Sequence, residues 1–178
     1  MHLRRAISGG DDGRAHASRG FTLVELMVSI AVLAVLLGMA VPAFNNAALS
    51  GKLSGFASSL VASTQLARSE AIKRNQTVQL CASSDDTCDD PADGWSAGWI
   101  VILDDGSVVQ RQEAIPSDFL IDEKDDKTTL DFPAAVIGAT TAEFTICRAT
   151  PVGKQNRVVA VTASGNTRVA TNDATACP

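Results

Sequence analysis

The residues that could carry out acid–base or metal chemistry are few and unevenly placed. Both histidines, His2 and His16, lie within the first 20 residues, and the chain has no tyrosine. Histidine is the commonest general base and metal ligand, so the rest of the chain lacks the usual candidate. Serine, lysine and carboxylate chemistry remains available, but no SxxK or HExxH spacing occurs. We therefore expect a protein that is not an enzyme, with no catalytic residue, cofactor or metal site.

Four cysteines indicate disulfide chemistry, because they show neither a CxxC nor a zinc-ligand spacing. Four cysteines allow three pairings. We favour Cys81–Cys88 together with Cys147–Cys177, since each bond would close a loop between neighbouring elements. Each bond would stabilise the fold by roughly 2–4 kcal/mol if this part of the chain lies outside the cytoplasm.

An apolar run of 21 residues, at positions 21–41, predicts a membrane-spanning helix. At 1.5 Å per residue it would be about 32 Å long, which is enough to cross a bilayer. A secretory signal has a shorter apolar region with small residues after it, whereas here the small and polar residues come first. Four arginines precede the run and the next basic residue is Lys52, so we expect a cytoplasmic N-terminus and an external remainder.

Glu25 is the only ionisable residue of this run. A carboxylate in a membrane span is costly and usually has a partner. The residues Arg19-Gly20-Phe21-Thr22-Leu23-Val24-Glu25 resemble the processing site of type IV prepilins. The resemblance implies that a prepilin peptidase cuts between Gly20 and Phe21, that Phe21 is then N-methylated, and that Glu25 pairs with the N-terminal amine of a neighbouring subunit. An ordinary signal anchor is the alternative.

Pro42 lies where prepilins commonly have a proline. It lacks an N–H and weakens a helix locally. The resemblance implies that this segment can stretch or melt in a filament. A simple kink where the helix leaves the membrane is an alternative of equal weight.

Apolar positions at a spacing of three or four predict that the helix continues over 42–75 with one buried face. Lys73 and Arg74 suit the negative end of its dipole, and Asn75 suits a C-cap. Gly51 and Gly55 weaken the middle of this stretch. The predicted buried positions are Leu49, Leu53, Phe56, Leu60, Thr64, Ala67 and Ala71.

Short runs rich in β-branched residues follow, separated by turn residues. Asp105-Gly106 and Ser164-Gly165-Asn166 predict two hairpins. The fold class is therefore α+β, a long N-terminal helix packed on an antiparallel sheet, with Trp95 and Trp99 as packing residues. The predicted strands are 77–82, 99–103, 107–112, 143–148, 157–162 and 167–171.

Two clusters of acidic residues are interpreted as solvated loops. Calcium favours such clusters, but neither has an EF-hand spacing. The clusters are Asp85, Asp86, Asp89, Asp90 and Asp93, and then Asp122, Glu123, Asp125 and Asp126.

The tract 67–74, with Val78-Gln79-Leu80-Cys81 and the tryptophan segment 94–101, resembles the GspH/FimT group of minor pilins and pseudopilins. The resemblance implies a cleaved leader at 1–20, an assembly helix at 21–41, its amphipathic continuation at 42–75 and a β-rich head at 76–178. It implies a minor pilin of a type IV pilus, or alternatively a type II secretion pseudopilin. The expected partners are other pilin subunits, the prepilin peptidase, an inner-membrane assembly platform and the membrane itself. The head would be periplasmic and would later stand in a surface filament.

The C-terminal third is basic on an otherwise acidic chain. Within the resembled group, some members bind DNA through a basic G-R-x-R motif, and the corresponding residues here are Gly165-Asn166-Thr167-Arg168. A DNA-binding minor pilin for natural transformation is therefore a further hypothesis. Its candidate residues are Arg148, Lys154, Arg157 and Arg168.

Overall fold

Helix α1 (Leu23–Arg74) opens the fold and contains Pro42 within its length. The computed structural model describes residues 20–88, 91, 94–135, 137–151, 155–172 and 177. Two units are distinguished, Met1–Ala43 and Phe44–Pro178. The predicted leader at 1–19, the candidate Lys154 and three acidic residues, Asp89, Asp90 and Asp93, fall outside the described residues.

The C-terminal half of α1 carries the buried face predicted from its spacing. Its buried positions recur every three or four residues, as one side of a helix requires. The helix ends where Asn75 adopts a left-handed conformation with φ of 52°. The Gln76 N–H then donates to the Ala71 carbonyl at 3.3 Å, which is a common helix ending. The buried positions are Leu49, Leu53, Ala57, Leu60, Ser63, Thr64, Ala67 and Ala71, with Phe56 partly buried.

Within the residues that the structure describes, eight strands follow: β1 Val78–Ala82, β2 Gly98–Leu103, β3 Val108–Glu113, β4 Phe119–Glu123, β5 Thr129–Phe132, β6 Ala142–Arg148, β7 Asn156–Val161 and β8 Thr167–Asn172. A short 3₁₀ turn, Gly94–Ala97, precedes β2. The described strands form two antiparallel four-stranded sheets, of order β3-β2-β1-β5 and β4-β6-β7-β8.

One core joins the helix to both sheets. Leu53 and Leu60 of α1, Leu80 of β1 and Phe144 of β6 are all fully buried within it. The prediction of an α+β fold with a long helix packed on antiparallel strands is confirmed. The division of those strands into two sheets was not predicted.

Both tryptophans are packing residues, as predicted. Trp99 is 1% exposed, and its indole N–H donates to Ser63 Oγ on α1 at 2.9 Å. Trp95 is 2% exposed, meets the Phe144 ring edge-on at 4.9 Å, and donates to the Lys127 carbonyl at 2.7 Å. Each indole therefore buries its ring and still satisfies its polar N–H.

Both predicted hairpins form. Gly106 adopts a positive φ of 82° between β2 and β3, and the Asp105 carboxylate accepts the Ser107 N–H at 2.8 Å. The turn at 164–166 joins β7 to β8, with Gly165 at a φ of 75°. Positive φ is the conformation for which glycine is favoured.

Candidate processing site and head surface

The residues before α1 form its N-cap. The Thr22 hydroxyl accepts the Glu25 N–H at 3.2 Å, and the Thr22 carbonyl accepts the Leu26 N–H at 3.1 Å. A threonine followed three residues later by glutamate is the spacing of a capping box. This N-cap was not predicted, although its T-x-x-E spacing is visible in the sequence. Phe21, which directly precedes the cap, is 81% exposed.

Glu25 lies in the first turn of α1, where the helix dipole favours a negative charge. Its side chain is exposed, and no ion pair joins it to a cation among the described residues. The apolar side chains that follow are also exposed, for example Leu33 and Leu36. By length and composition, this helix could cross a membrane.

Pro42 lies inside α1 and cannot donate a hydrogen bond to the carbonyl four residues earlier. That carbonyl belongs to Gly38, which is itself a weak helix former. The helix therefore lacks one backbone hydrogen bond at this position.

The structure describes three of the four candidate DNA-binding cations, Arg148, Arg157 and Arg168, and not all three are exposed. Arg157 is only 7% exposed, so its expected role as a surface cation is wrong. It is held inside by Ser50 and Ser54 of α1, whose hydroxyls accept its N–H groups at 2.6 and 3.1 Å. The alternation of side chains along a strand could have predicted this burial. Arg157 is two residues before the buried Val159 and four before the buried Val161, so all three side chains point to the same face of the sheet.

Arg168 and Arg148 are the other two candidates that the structure describes. Arg168 is exposed, but it pairs with Ala160, whereas Arg157 pairs with Thr171. Paired residues point to the same face of a sheet, and Ala160 is three residues after Arg157 in β7. The two arginines therefore point to opposite faces of the sheet. Arg148 is half-buried and donates to the Pro151 carbonyl at 2.8 Å.

Gly165 of the GNTR sequence has a structural role. A Cβ at this position would lie 2.9 Å from the Cδ of Arg68. Arg68 extends from α1 past this glycine and donates to the carbonyls of Pro133 and Ala135 at 2.8 and 2.6 Å. One helix residue thus joins the β7–β8 turn to the segment after β5, a role that was not predicted from the sequence.

The cysteines pair as Cys81–Cys88 and Cys147–Cys177, which are the pairs favoured from the sequence. The first bond closes a separation of 7 residues beside β1, and the second closes one of 30 residues from β6 to the C-terminal segment.

The second acidic cluster is not a solvated loop throughout. Asp122 and Glu123 belong to β4, and Glu123 is only 4% exposed. Its carboxylate accepts the N–H groups of Asp125 at 3.0 Å and Lys127 at 2.8 Å, so burial is compensated by hydrogen bonds. Within the part of the chain that the structure describes, no group of three or more His, Cys, Asp or Glu is placed to hold a metal ion.

Two protein-family models match this chain. Residues 57–165 match the family described as Type II transport protein GspH, which is more than half of the 178-residue chain. The chain belongs to the GspH family. Residues 15–41 separately match the prokaryotic N-terminal methylation motif, a range that contains Gly20, Phe21 and Glu25. Proteins of this class are type IV minor pilins and pseudopilins, which are structural subunits and in general not enzymes.

Solved structures share the fold of this GspH-family chain. The type IV minor pilin FimU of Pseudomonas aeruginosa PAO1 is 23% identical, with a TM-score of 0.53 over 66% of this chain and 92% of that one. The minor pseudopilin EpsH from the type 2 secretion system of Vibrio cholerae is 13% identical, with a TM-score of 0.50 over 66% and 95%. At these identities the likeness concerns the fold alone. No curated protein matches the sequence.

One spacing typical of serine hydrolases occurs in this GspH-family head and was overlooked in the sequence. Residues 94–98 read G-W-S-A-G, a G-x-S-x-G spacing. Ser96 lies in the 3₁₀ turn before β2, not in a strand-to-helix turn, and its hydroxyl accepts the Ile121 N–H at 2.9 Å. No described residue is a histidine. The serine therefore supports β4 through this hydrogen bond, and no described histidine could act as its base.

Proposed function

We propose that this GspH-family chain is a minor pilin of a type IV pilus, a structural subunit that acts in assembly or priming. The observation that carries the proposal is the match of residues 15–41 to a methylation motif, together with an exposed apolar stretch at 21–41 whose single carboxylate is Glu25. A head of the GspH family follows that helix. An apolar segment with one charge suits packing among similar helical segments better than solution in water.

The leader, residues 1–20, is removed by a prepilin peptidase after Gly20, and the new N-terminus at Phe21 is methylated. Residues 21–41 then cross the inner membrane with the N-terminus on the cytoplasmic side, and 42–75 continue into a periplasmic head at 76–178. An assembly platform in that membrane transfers the subunit into a filament beside other pilins. There Glu25 meets the amine of a neighbouring chain, since two opposite charges are cheaper to desolvate together than singly.

A Glu25→Gln variant tests this role of the carboxylate. The variant keeps the helix and the cleavage site but cannot form an ion pair, so we expect normal processing and loss from sheared filaments. Glu113→Gln is the matched control, because Glu113 is exposed in β3 of the head. Equal recovery of Glu25→Gln and wild type in filaments would contradict the proposal.

The second candidate is a pseudopilin of a type II secretion system. It is favoured by the family described as Type II transport protein GspH and by the fold shared with EpsH. A deletion strain separates the two functions. Loss of surface pili with normal secretion of folded exoproteins supports the pilus, and the opposite result supports the secretion system.

DNA binding during natural transformation is less well supported, because Arg157 is buried and Arg168 faces away from it. Retention on DNA at low salt that falls on Arg168→Ala would restore this candidate.

A further inference from the structure

An open groove of about 670 Å³ runs beside β4 in the head. It is lined by the 3₁₀ turn, by β4 and by the residues before and after that strand. Trp95 and Ile115 contribute apolar surface at its base, and both are largely buried. Leu120 adds a half-buried apolar side chain. We call this feature the β4 groove.

The described lining of the β4 groove carries a net negative charge. Among the described residues it contains three carboxylates, Asp122, Glu123 and Asp126, and one cation, Lys127. Lys127 is already engaged, since its Nζ lies 2.5 Å from Asp125 Oδ2 and 3.9 Å from Glu123 Oε1. Among the described residues, no ion pair joins Asp122 or Asp126 to a cation. Burial, followed by repulsion from Asp126 and Glu123, raises the pKa of Asp122.

Much of the backbone edge of β4 is already occupied. The Phe119 N–H donates to the Pro116 carbonyl and the Ile121 N–H to Ser96 Oγ, both at 2.9 Å. An added β-strand could not use these two donors. A ligand of the groove must therefore be recognised mainly by its side chains.

We propose that the β4 groove receives a lysine or arginine side chain from an extended segment of another protein subunit. The aliphatic stem of such a residue lies along Ile115 and Leu120, and its charged head lies between Asp122 and Asp126. Charge complementarity selects this occupant, since an anionic nucleic acid would be repelled. The inference holds for either filament type. A weak contact suffices there, because neighbouring subunits reach effective concentrations in the millimolar range.

The two tryptophans provide a built-in test. Trp95 lines the groove, whereas Trp99 does not and donates to Ser63 instead. We would label the tryptophans of the full-length protein with nitrogen-15 in micelles of a non-ionic detergent. The probe is the peptide acetyl-Ala-Lys-Ala-amide, and acetyl-Ala-Gln-Ala-amide is its uncharged control. We expect a saturable shift of the Trp95 indole signal with the lysine peptide alone, while the Trp99 signal stays in place.

The double variant Asp122→Asn with Asp126→Asn should weaken peptide binding by about threefold to fivefold for each carboxylate removed. An unchanged Trp99 signal shows that this variant is folded. Equal responses to the two peptides, or undiminished binding by the variant, would overturn the proposal. A shift of Trp95 with calcium chloride but not with the lysine peptide would also overturn it, in favour of a cation site.

Discussion

Arg157 of β7 and Ser50 of α1 are joined by a hydrogen bond of 2.6 Å inside the head. A second bond, from Arg157 Nε to Ser54 Oγ, measures 3.1 Å. The two serines lie beside Gly51 and Gly55, where added Cβ atoms would meet open space and where glycine weakens the helix. One buried arginine thus ties two glycine-containing turns of α1 to the sheet.

Replacing Arg157 with alanine should lower the free energy of unfolding by about 2–3 kcal/mol, because hydrogen bonds from a charged group and buried volume are both lost. The matched control is Arg168→Ala, an exposed site on the opposite sheet face, for which we expect a change within about 0.5 kcal/mol. Denaturant unfolding followed by tryptophan fluorescence measures both. Similar effects of the two substitutions would contradict the role assigned to Arg157.

Gly165→Ala should destabilise the head by more than the strain of a positive φ alone. That strain costs about 1–3 kcal/mol for a residue other than glycine, and the new Cβ would also collide with Arg68. Gly106→Ala isolates the first effect, since Gly106 has a φ of 82° and open space around its Cβ position. The difference between their melting temperatures measures the collision, and equal melting temperatures would show that Arg68 moves aside freely.

The two disulfides should differ in how much each stabilises the folded head. In the chain-entropy description, opening a loop of about 30 residues costs roughly 1 kcal/mol more than opening one of about 7. Replacing Cys147 and Cys177 by serine should therefore lower the midpoint of denaturant unfolding more than replacing Cys81 and Cys88. The reverse order would contradict this expectation.

Asp122→Asn should stabilise the head at about pH 7 and have little effect at about pH 3. Burial raises the pKa of Asp122, with repulsion from Asp126 and Glu123 adding to the effect. Its ionised form is thus disfavoured by folding. The penalty appears as pH rises through the pKa of the unfolded chain and is complete above the folded pKa.

Thermal unfolding across pH would measure this change, with Asp105→Asn as control. The Asp105 carboxylate accepts hydrogen bonds from Ser107, which lowers its pKa, so its replacement should bring no gain at neutral pH. A gain at both sites, or one at Asp122 that persists in acid, would contradict the assignment.

The sequence predicted those parts of the fold whose signals are local. The spacing of Leu49, Leu53 and Leu60 is enough to define a buried helix face, and Asp105-Gly106 is enough to define a hairpin. The processing motif is equally local, since its residues are consecutive. Each of these features depends on a repeat of apolar residues, a turn sequence or a motif that lies within a short stretch of the sequence.

The features that were missed depend on partners distant in sequence or on short strands. β4 was not predicted, because Asp122 and Glu123 make an edge strand resemble a polar loop. β5 has only 4 residues, although its buried Leu130 and Phe132 alternate with polar neighbours. Arg157 was interpreted as a surface cation because its hydroxyl partners lie more than 100 residues earlier in the chain. Charge counted along a strand does not reveal which face that strand buries.

The intact mass and N-terminal residue of the protein test the central claim most directly. The protein would be purified from membranes of cells with and without the prepilin peptidase. The account predicts a chain that begins at methylated Phe21 only when the peptidase is present. A chain that begins at Met1 in both strains would contradict it and reduce the protein to a signal-anchored domain with a pilin-like fold.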